Sequence, residues 1–284
     1  MNRLVEGRRT KYPLLANKVV DYVTKRQNED GGYTFCQGAE SNGQDTYYGL
    51  TILSLLNANF PNIEKTVKFI NDIRLDTIYS IHYISKASLL LDKSIGAKLK
   101  KRVLSILNSR KYFGSTDVFS EVSSEFTTTF MALELADLLK IEVNTKEVAE
   151  WLLRFRNDDG GFGTQGQSNI NSTYYAIASM SLLKKSLNDF HETVMFVREC
   201  EKPYGGFTII PMSYAPYMEH TYYGVMTLDL LGEKSQYSTQ TIDWILKCQN
   251  NNGGFARSDL GISTFKNTFQ VVNVLRKLYF PIRQ

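Results

Sequence analysis

The chain has 284 residues, 43% of them hydrophobic and 22% charged, with a net charge of +4. This composition supports a large core and excludes a disordered chain. The small charge excess, with no basic run longer than a few residues, excludes a nucleic-acid footprint.

The polar, basic start, Met1–Lys11, has no apolar h-region and reads as no secretory signal. No apolar stretch approaches the ~20 residues that cross a bilayer. An amphipathic helix is predicted over Leu14–Arg26, followed by the turn NEDGGY at Asn28–Tyr33. DTYYG at Asp45–Gly49 then opens an apolar helix, Tyr47–Leu56. A second amphipathic helix is expected at Ile63–Ile73, a decayed apolar copy at Thr77–Leu91 and an amphipathic stretch at Leu99–Leu107. TTFMA at Thr128–Ala132 opens Phe130–Leu139, and Lys146–Phe155 carries Trp151, Leu152 and Phe155 at the spacing of one buried stripe. The turn recurs as NDDGGF at Asn157–Phe162, before STYYA at Ser172–Ala176 and the helix Tyr174–Leu183. His191–Arg198, KPYGGF at Lys202–Phe207, HTYYG at His220–Gly224 and Tyr222–Leu231 repeat the order. Thr241–Lys247, NNNGGF at Asn250–Phe255 and NTFQV at Asn267–Val271 close it. Cys36, Cys200 and Cys248 form no CxxC pair, so a reducing, cytoplasmic setting is expected rather than a disulfide framework.

Internal repetition of this length signals stacked supersecondary units. Thr46, Thr129, Thr173, Thr221 and Thr268 fall on a common register with a spacing of about 47 residues, one unmarked repeat lying between the first two. Six helix pairs then fill residues 1–284 as a single domain, with apolar helices inside and amphipathic ones outside a closed double ring. The Gly-Gly step lets the chain turn back at the end of each outer helix, and the aromatic after it packs under the next inner helix. The threonines read as structural, and the residues before each aromatic pair read as N-caps.

Inner helices starting at one end of a ring aim their free N–H groups at one mouth, where an anionic head group is favoured. Asp45, Thr128, Ser172, His220 and Asn267 occupy equivalent positions there, preceded by Gln44, Thr127, Asn171, Glu219 and Lys266. A purely structural repeat would keep these alike; their divergence marks a site. One tyrosine of each pair is expected to face a cavity whose π faces suit an apolar chain or a carbocation. His220, Glu219 and Asp45 are the candidate catalytic residues. Tyr47, Tyr174, Tyr222, Asn171, Thr173 and Lys266 are the candidate substrate-binding residues, with Lys266 the anion contact.

The repeat GGF…TYYAL…L resembles that of the prenyltransferase and squalene-cyclase family over essentially the whole chain. The resemblance implies an all-α fold, an α/α toroid, and is nearest to the β subunits of protein prenyltransferases, whose partner is a separate chain. It implies an isoprenoid or other apolar small molecule in the central cavity, and leaves room for a protein partner. That family holds zinc through an Asp, a Cys two residues later and a His in the next repeat. His220-Thr221-Tyr222-Tyr223 matches the His motif, but Asn171 and Thr173 stand where the Asp and Cys belong. Neutral Gln165 and Ser168 stand near the positions of the diphosphate-binding bases. No metal ligands are therefore assigned and no cofactor is expected. Zinc would need His220, Glu219 and the distant Cys36, and magnesium would arrive only with a diphosphate. Terpene cyclases of the acid-initiated type use DxDD followed by Thr, of which Gln44-Asp45-Thr46 keeps the end; Asp45 or Glu219 would have to be the acid. Asp158-Asp159 belongs to a turn, not to a DDxxD motif. Signatures of lanthionine cyclases and thioester proteins are absent, and paired-carboxylate sugar chemistry would rest on Asp45 and Glu219. The function expected is that of an isoprenoid-handling protein with a zinc-independent site, the alternative being a noncatalytic toroid that binds a lipid or a protein.

Overall fold

The computed structural model describes residues 14–91, 100, 101, 103, 104 and 122–279. The outer helix expected at Leu99–Leu107 lies largely outside them, as does the Met1–Lys11 segment. Among the described residues there is no strand, only isolated bridges that pinch the turns, such as Arg156 with Phe162 and Gln249 with Phe255.

The helices are α1 (residues 14–24), α2 (Gly43–Leu55), α3 (Ile63–Asp72), α4 (Ile78–Leu90), α5 (Val122–Leu139), α6 (Thr145–Leu153), α7 (Ile170–Leu182), α8 (His191–Cys200), α9 (Met218–Leu230), α10 (Ser238–Lys247) and α11 (Phe265–Tyr279). Six of them, α2, α4, α5, α7, α9 and α11, pack each on the next, and α11 returns to α2, so the inner ring closes. The others lie outside it, burying single stripes such as Val148, Ala149, Trp151 and Leu152 of α6.

Each return from the outer to the inner ring is built alike. The aromatic after the glycines, Tyr33, Phe162, Phe207 or Phe255, is wholly buried. Its backbone N–H donates to the threonine of the following inner helix: Thr46 at 3.0 Å, Thr173 at 2.9 Å, Thr221 at 3.0 Å and Thr268 at 3.0 Å. Each threonine hydroxyl in turn donates to a carbonyl four residues back, as Thr173 does to Asn169 at 2.8 Å. The polar run of the turn satisfies itself, Asp159 accepting from Gly161 N–H and from the Ser168 hydroxyl. Gly160 takes φ +80° in that turn, beyond the end of the helix rather than at its cap. A β-carbon there would stand 2.3 Å from the Glu192 backbone of the next outer helix. The glycine is therefore required by contact as well as by conformation.

Two expectations are corrected. The inner helices begin four or more residues earlier than the aromatic pairs suggest, so Asp45, Ser172, His220 and Asn267 sit within the first turn. The caps are Asn42, Asn169 and Thr77, while Thr264 accepts from Asn267 N–H at 3.0 Å. Short polar side chains upstream outcompete the expected residues because they can reach back to the free N–H groups.

Candidate functional site

A cavity of about 440 Å³ opens at the N-terminal end of the inner ring. Its wall is made by i, i+4 pairs, the spacing that stacks two side chains on one helix face. Gln44 and Tyr48 come from α2, Tyr79 and Tyr83 from α4, Thr127 and Met131 from α5, and Asn171 and Tyr175 from α7. Asn169, Ser172, Ile209, Tyr223 and Lys266 complete it. The tyrosines form the floor and are tied in pairs, Tyr48 to Tyr83 at 3.2 Å and Tyr175 to Tyr223 at 2.9 Å, with Gln44 donating to Tyr83 at 3.0 Å. Burial raises all four phenols above their ordinary range, so they are neutral hydroxyls. The buried Oδ1 of Asn171 has no hydrogen-bond partner among the described residues.

The structure separates the residues predicted from sequence. Asn171 and Lys266 line the cavity. Tyr47, Tyr174 and Tyr222, expected in the wall, are not among its residues, while their neighbours Tyr48, Tyr175 and Tyr223 line it. The reason is helical spacing: four residues on from the rim position is the second tyrosine, not the first. Of the first tyrosines, Tyr47 lies 6.2 Å and Tyr222 6.0 Å from the Phe269 ring, and Tyr174 5.8 Å from Tyr222; Tyr48 of the wall also reaches Phe269, at 4.8 Å.

Asp45, Glu219, His220 and Thr173 lie outside the cavity wall. The Asp45 carboxylate accepts from Phe35 N–H at 3.1 Å and from the Asn42 amide at 2.9 Å, holding the turn to α2. Burial raises its pKa, against those hydrogen bonds. Thr173 spends its hydroxyl on Phe162 and Asn169. Glu219 accepts from Arg257 at 2.7 Å, and the Arg257 guanidinium stacks on the Tyr217 ring. His220 is buried, with Nε2 3.7 Å from Glu219 and Nδ1 without a hydrogen-bond partner among the described residues. This set does not fit zinc: the carboxylate nearest the histidine is held by arginine, and a committed threonine stands in place of the cysteine. Among the described residues no group of three His, Cys, Asp or Glu side chains stands together as a metal site.

Burial pulls the His220 pKa down to about 4. A buried neutral histidine stabilises the fold fully above its ordinary value of 6.5 and loses that stability as pH falls toward 4. The expected loss is about 3 kcal/mol. Urea unfolding at several pH values should show it, with a shallower acid dependence in His220→Leu; equal pH slopes in the two proteins would refute the assignment.

Sequence reasoning missed three residues. One turn below the first-tyrosine register lie Lys86 of α4 and Glu134 of α5, with His82 occupying the tyrosine position itself. Glu134 bonds His82 Nε2 at 2.6 Å and Lys86 Nζ at 2.6 Å, while Lys86 sits over the Tyr47 ring. Burial pushes the Glu134 carboxyl up, but His82 and Lys86 outweigh it and hold the pKa at about 2. Burial likewise pulls Lys86 down, yet Glu134 and Tyr47 raise it above its ordinary value. The His82 pKa is lowered, chiefly by burial. A neutral histidine thus flanks an ion pair at the core of the ring.

A profile of the prenyltransferase α/α toroid domain matches residues 4–76, 75–216 and 212–280. Among solved structures, Candida albicans protein geranylgeranyltransferase-I complexed with GGPP is similar at 17% identity and TM-score 0.70, over 93% of this chain and 91% of that one. The type II terpene cyclase MstE from Scytonema, in complex with geranylgeranyl dihydroxybenzoate, is similar at 12% identity and TM-score 0.64, over 94% and 97%. A protein from Actinoplanes follows at 14% identity and TM-score 0.58, over 94% and 99%. No curated protein sequence matches. With the profile spanning nearly its whole length and the ring of six inner helices to match, this chain belongs to the prenyltransferase α/α toroid family.

Proposed function

We propose that the protein binds a prenyl diphosphate in the cavity at the N-terminal end of the inner ring. The head group lies at Lys266 and the chain over the floor of Tyr48, Tyr83, Tyr175 and Tyr223. The observation that carries this reading is the make-up of the wall among the described residues: one cation, uncharged polar groups at the rim, aromatics below, and no carboxylate. An anion fits Lys266 and the start of the inner helices. The tyrosine faces suit isoprene units and would favour an allylic cation formed when the diphosphate leaves. Acid-initiated cyclisation is less well served, because Asp45 and Glu219 are both committed outside the wall. The similarity to a protein complexed with GGPP supports the choice of ligand class.

Calorimetric titration with farnesyl and geranylgeranyl diphosphate tests the reading. Saturable binding is expected, weakened about tenfold or more in Lys266→Ala, as the loss of a charge-assisted contact implies. Absence of saturable binding, or an unchanged Lys266→Ala affinity, would overturn it. Extraction of the lipid after incubation separates the roles: released diphosphate and a new prenyl product assign a transferase or cyclase, whereas recovery of the intact ligand assigns a carrier or scaffold.

A further inference from the structure

The ion pair of Lys86 and Glu134 is not demanded by the ring. At its level the other four inner helices carry Thr51, Ala178, Met226 and Asn273, none of them charged. Inside a protein such a pair stabilises the fold no better than apolar side chains of equal size. Nor is the pair sealed. Lys86 keeps 29% and Glu134 21% of its side chain exposed, although both stand on the inner ring. Neither lines the cavity at the N-terminal end. One turn further on, on the same helix faces, Leu89 and Asp137 are exposed as well. The pair is therefore approached from the C-terminal ends of the inner helices.

The charges also look across the ring. Tyr222 belongs to α9, which lies opposite α4 in the order of packing. Burial raises its phenol to about 12, and Lys86 and Glu134 both act on it, the one lowering and the other raising. Lys86 Nζ lies 5.4 Å from the centre of the Tyr47 ring, and Tyr47 and Tyr222 both contact Phe269. One cation and one anion thus stand side by side against aromatic faces. His82 Nε2 and Lys86 Nζ each take one oxygen of Glu134, at 2.6 Å, which leaves a lone pair on both oxygens. The two anchors differ. His82 is buried, and its Nδ1 has no hydrogen-bond partner among the described residues, so Glu134 is its one polar tie. Lys86 reaches the carboxylate on a flexible four-carbon stem with donors to spare.

A ligand of one sign would satisfy half of this pair and strand the other half at the cost of an unpaired charge. A zwitterion satisfies both. We propose that Glu134, Lys86 and His82 form a second binding site, on the ring axis, for a free α-amino acid with an apolar side chain. The ligand ammonium takes the place of Lys86 on Glu134, Lys86 turns to the ligand carboxylate, and His82 keeps Glu134 in position. The apolar side chain packs on Tyr47, Tyr222 and Phe269. The proposal goes beyond the prenyl-binding reading and does not rest on it.

Calorimetric titration with L-phenylalanine and L-leucine tests the site, and saturable binding of at least one is expected. The matching amines, phenethylamine and isopentylamine, lack the carboxylate; the matching acids, phenylpropionate and isocaproate, lack the ammonium. Each should bind the wild-type chain about tenfold or more weakly than its amino acid, since one charge-assisted contact is gone. Lys86→Met/Glu134→Leu removes both charges at similar volume, so it should stay folded and lose tenfold or more in amino-acid affinity. Absence of saturable binding by either amino acid would overturn the proposal. So would an amine or acid that binds as tightly as its amino acid, or a folded double variant with undiminished affinity. Should the double variant fail to fold, the amines and acids on the wild-type chain decide the matter alone.

Discussion

Glu134→Ala is expected to cost about 2–4 kcal/mol, somewhat below the range found when one partner of a fully buried ion pair is removed, because Glu134 and Lys86 are half-buried. The loss exceeds that of an ordinary surface pair because Glu134 satisfies two groups at once, His82 and Lys86, each at 2.6 Å. Without the carboxylate, the Lys86 ammonium keeps its desolvation cost and loses its counter-charge. The midpoint of thermal unfolding should fall on the order of 10 °C. Lys86→Met combined with Glu134→Leu removes both charges together and should recover most of the loss. The pair also has an acid signature. Because the folded-state pKa of Glu134 is depressed to about 2 from an ordinary 4.5, its contribution is complete above pH 4.5 and drains away as pH falls toward 2. Differential scanning calorimetry of the single and double variants decides it. A Glu134→Ala midpoint within a degree or two of wild type would show that the pair contributes no net stability.

The ion pair also shows where sequence reading stopped. The ring was legible because its signals are redundant: four Gly-Gly-aromatic turns, a threonine 11 to 14 residues after each aromatic, and apolar helices following. Each threonine makes the same pair of bonds, so the same residue is demanded each time. The rim was half legible. The row Gln44, Thr127, Asn171, Glu219 and Lys266 was recognised as divergent, and its members apart from Glu219 do line the cavity. Which tyrosine of a pair lay beside them was misjudged, although the i, i+4 rule applied to that row selects Tyr48 and Tyr175. Carrying the threonine register five residues further would have set Lys86 and Glu134 level with Thr51, Ala178, Met226 and Asn273. Opposite charges on adjacent inner helices at one level imply a pair. That signal was hidden because Lys86 lies in the repeat whose turn and threonine have decayed.

His220 illustrates the converse case. It stands in the segment that best matches the family's metal motif, yet its surroundings give it a different part. Its ring packs on Tyr217 with centroids 5.7 Å apart, and its nearest carboxylate is already bound by Arg257. A motif carries chemistry only when the rest of its set converges, and here Asn171 faces the cavity while Thr173 is locked in the scaffold. The segment keeps the family's shape without the ligand geometry of its metal.

Closing a ring requires the last repeat to meet the first as each repeat meets its neighbour, and Gly253 is where the last repeat does so. Gly31, Gly160 and Gly205 press on the backbones of Lys65, Glu192 and Gln240 of the following outer helices; Gly253 presses in the same way on Lys18 of α1. The seam differs in one respect. Elsewhere a buried threonine of the outer helix bonds the glycine step, as Thr66 donates to the Gly31 carbonyl at 2.8 Å and Thr193 to that of Gly160 at 2.6 Å. In α1 that position is Val19, and the Gly253 carbonyl accepts from Gln249 of its own turn at 2.9 Å. The seam therefore depends on close packing rather than on a cross-repeat bond. In Gly253→Ala the new methyl would lie 2.2 Å from the Lys18 carbonyl oxygen, on a backbone at φ +92°. Strain and displacement together should cost more than about 3 kcal/mol, with hydrogen exchange raised across residues 14–24. Gly38→Ala supplies the control: φ is +83° there, but nothing lies within 4 Å, so only the conformational cost of about 1 kcal/mol remains. Equal losses in urea unfolding for the two variants would mean that conformation alone fixes these glycines; a clearly larger loss in Gly253→Ala, with α1 exchanging faster, would locate the closure of the ring at this contact.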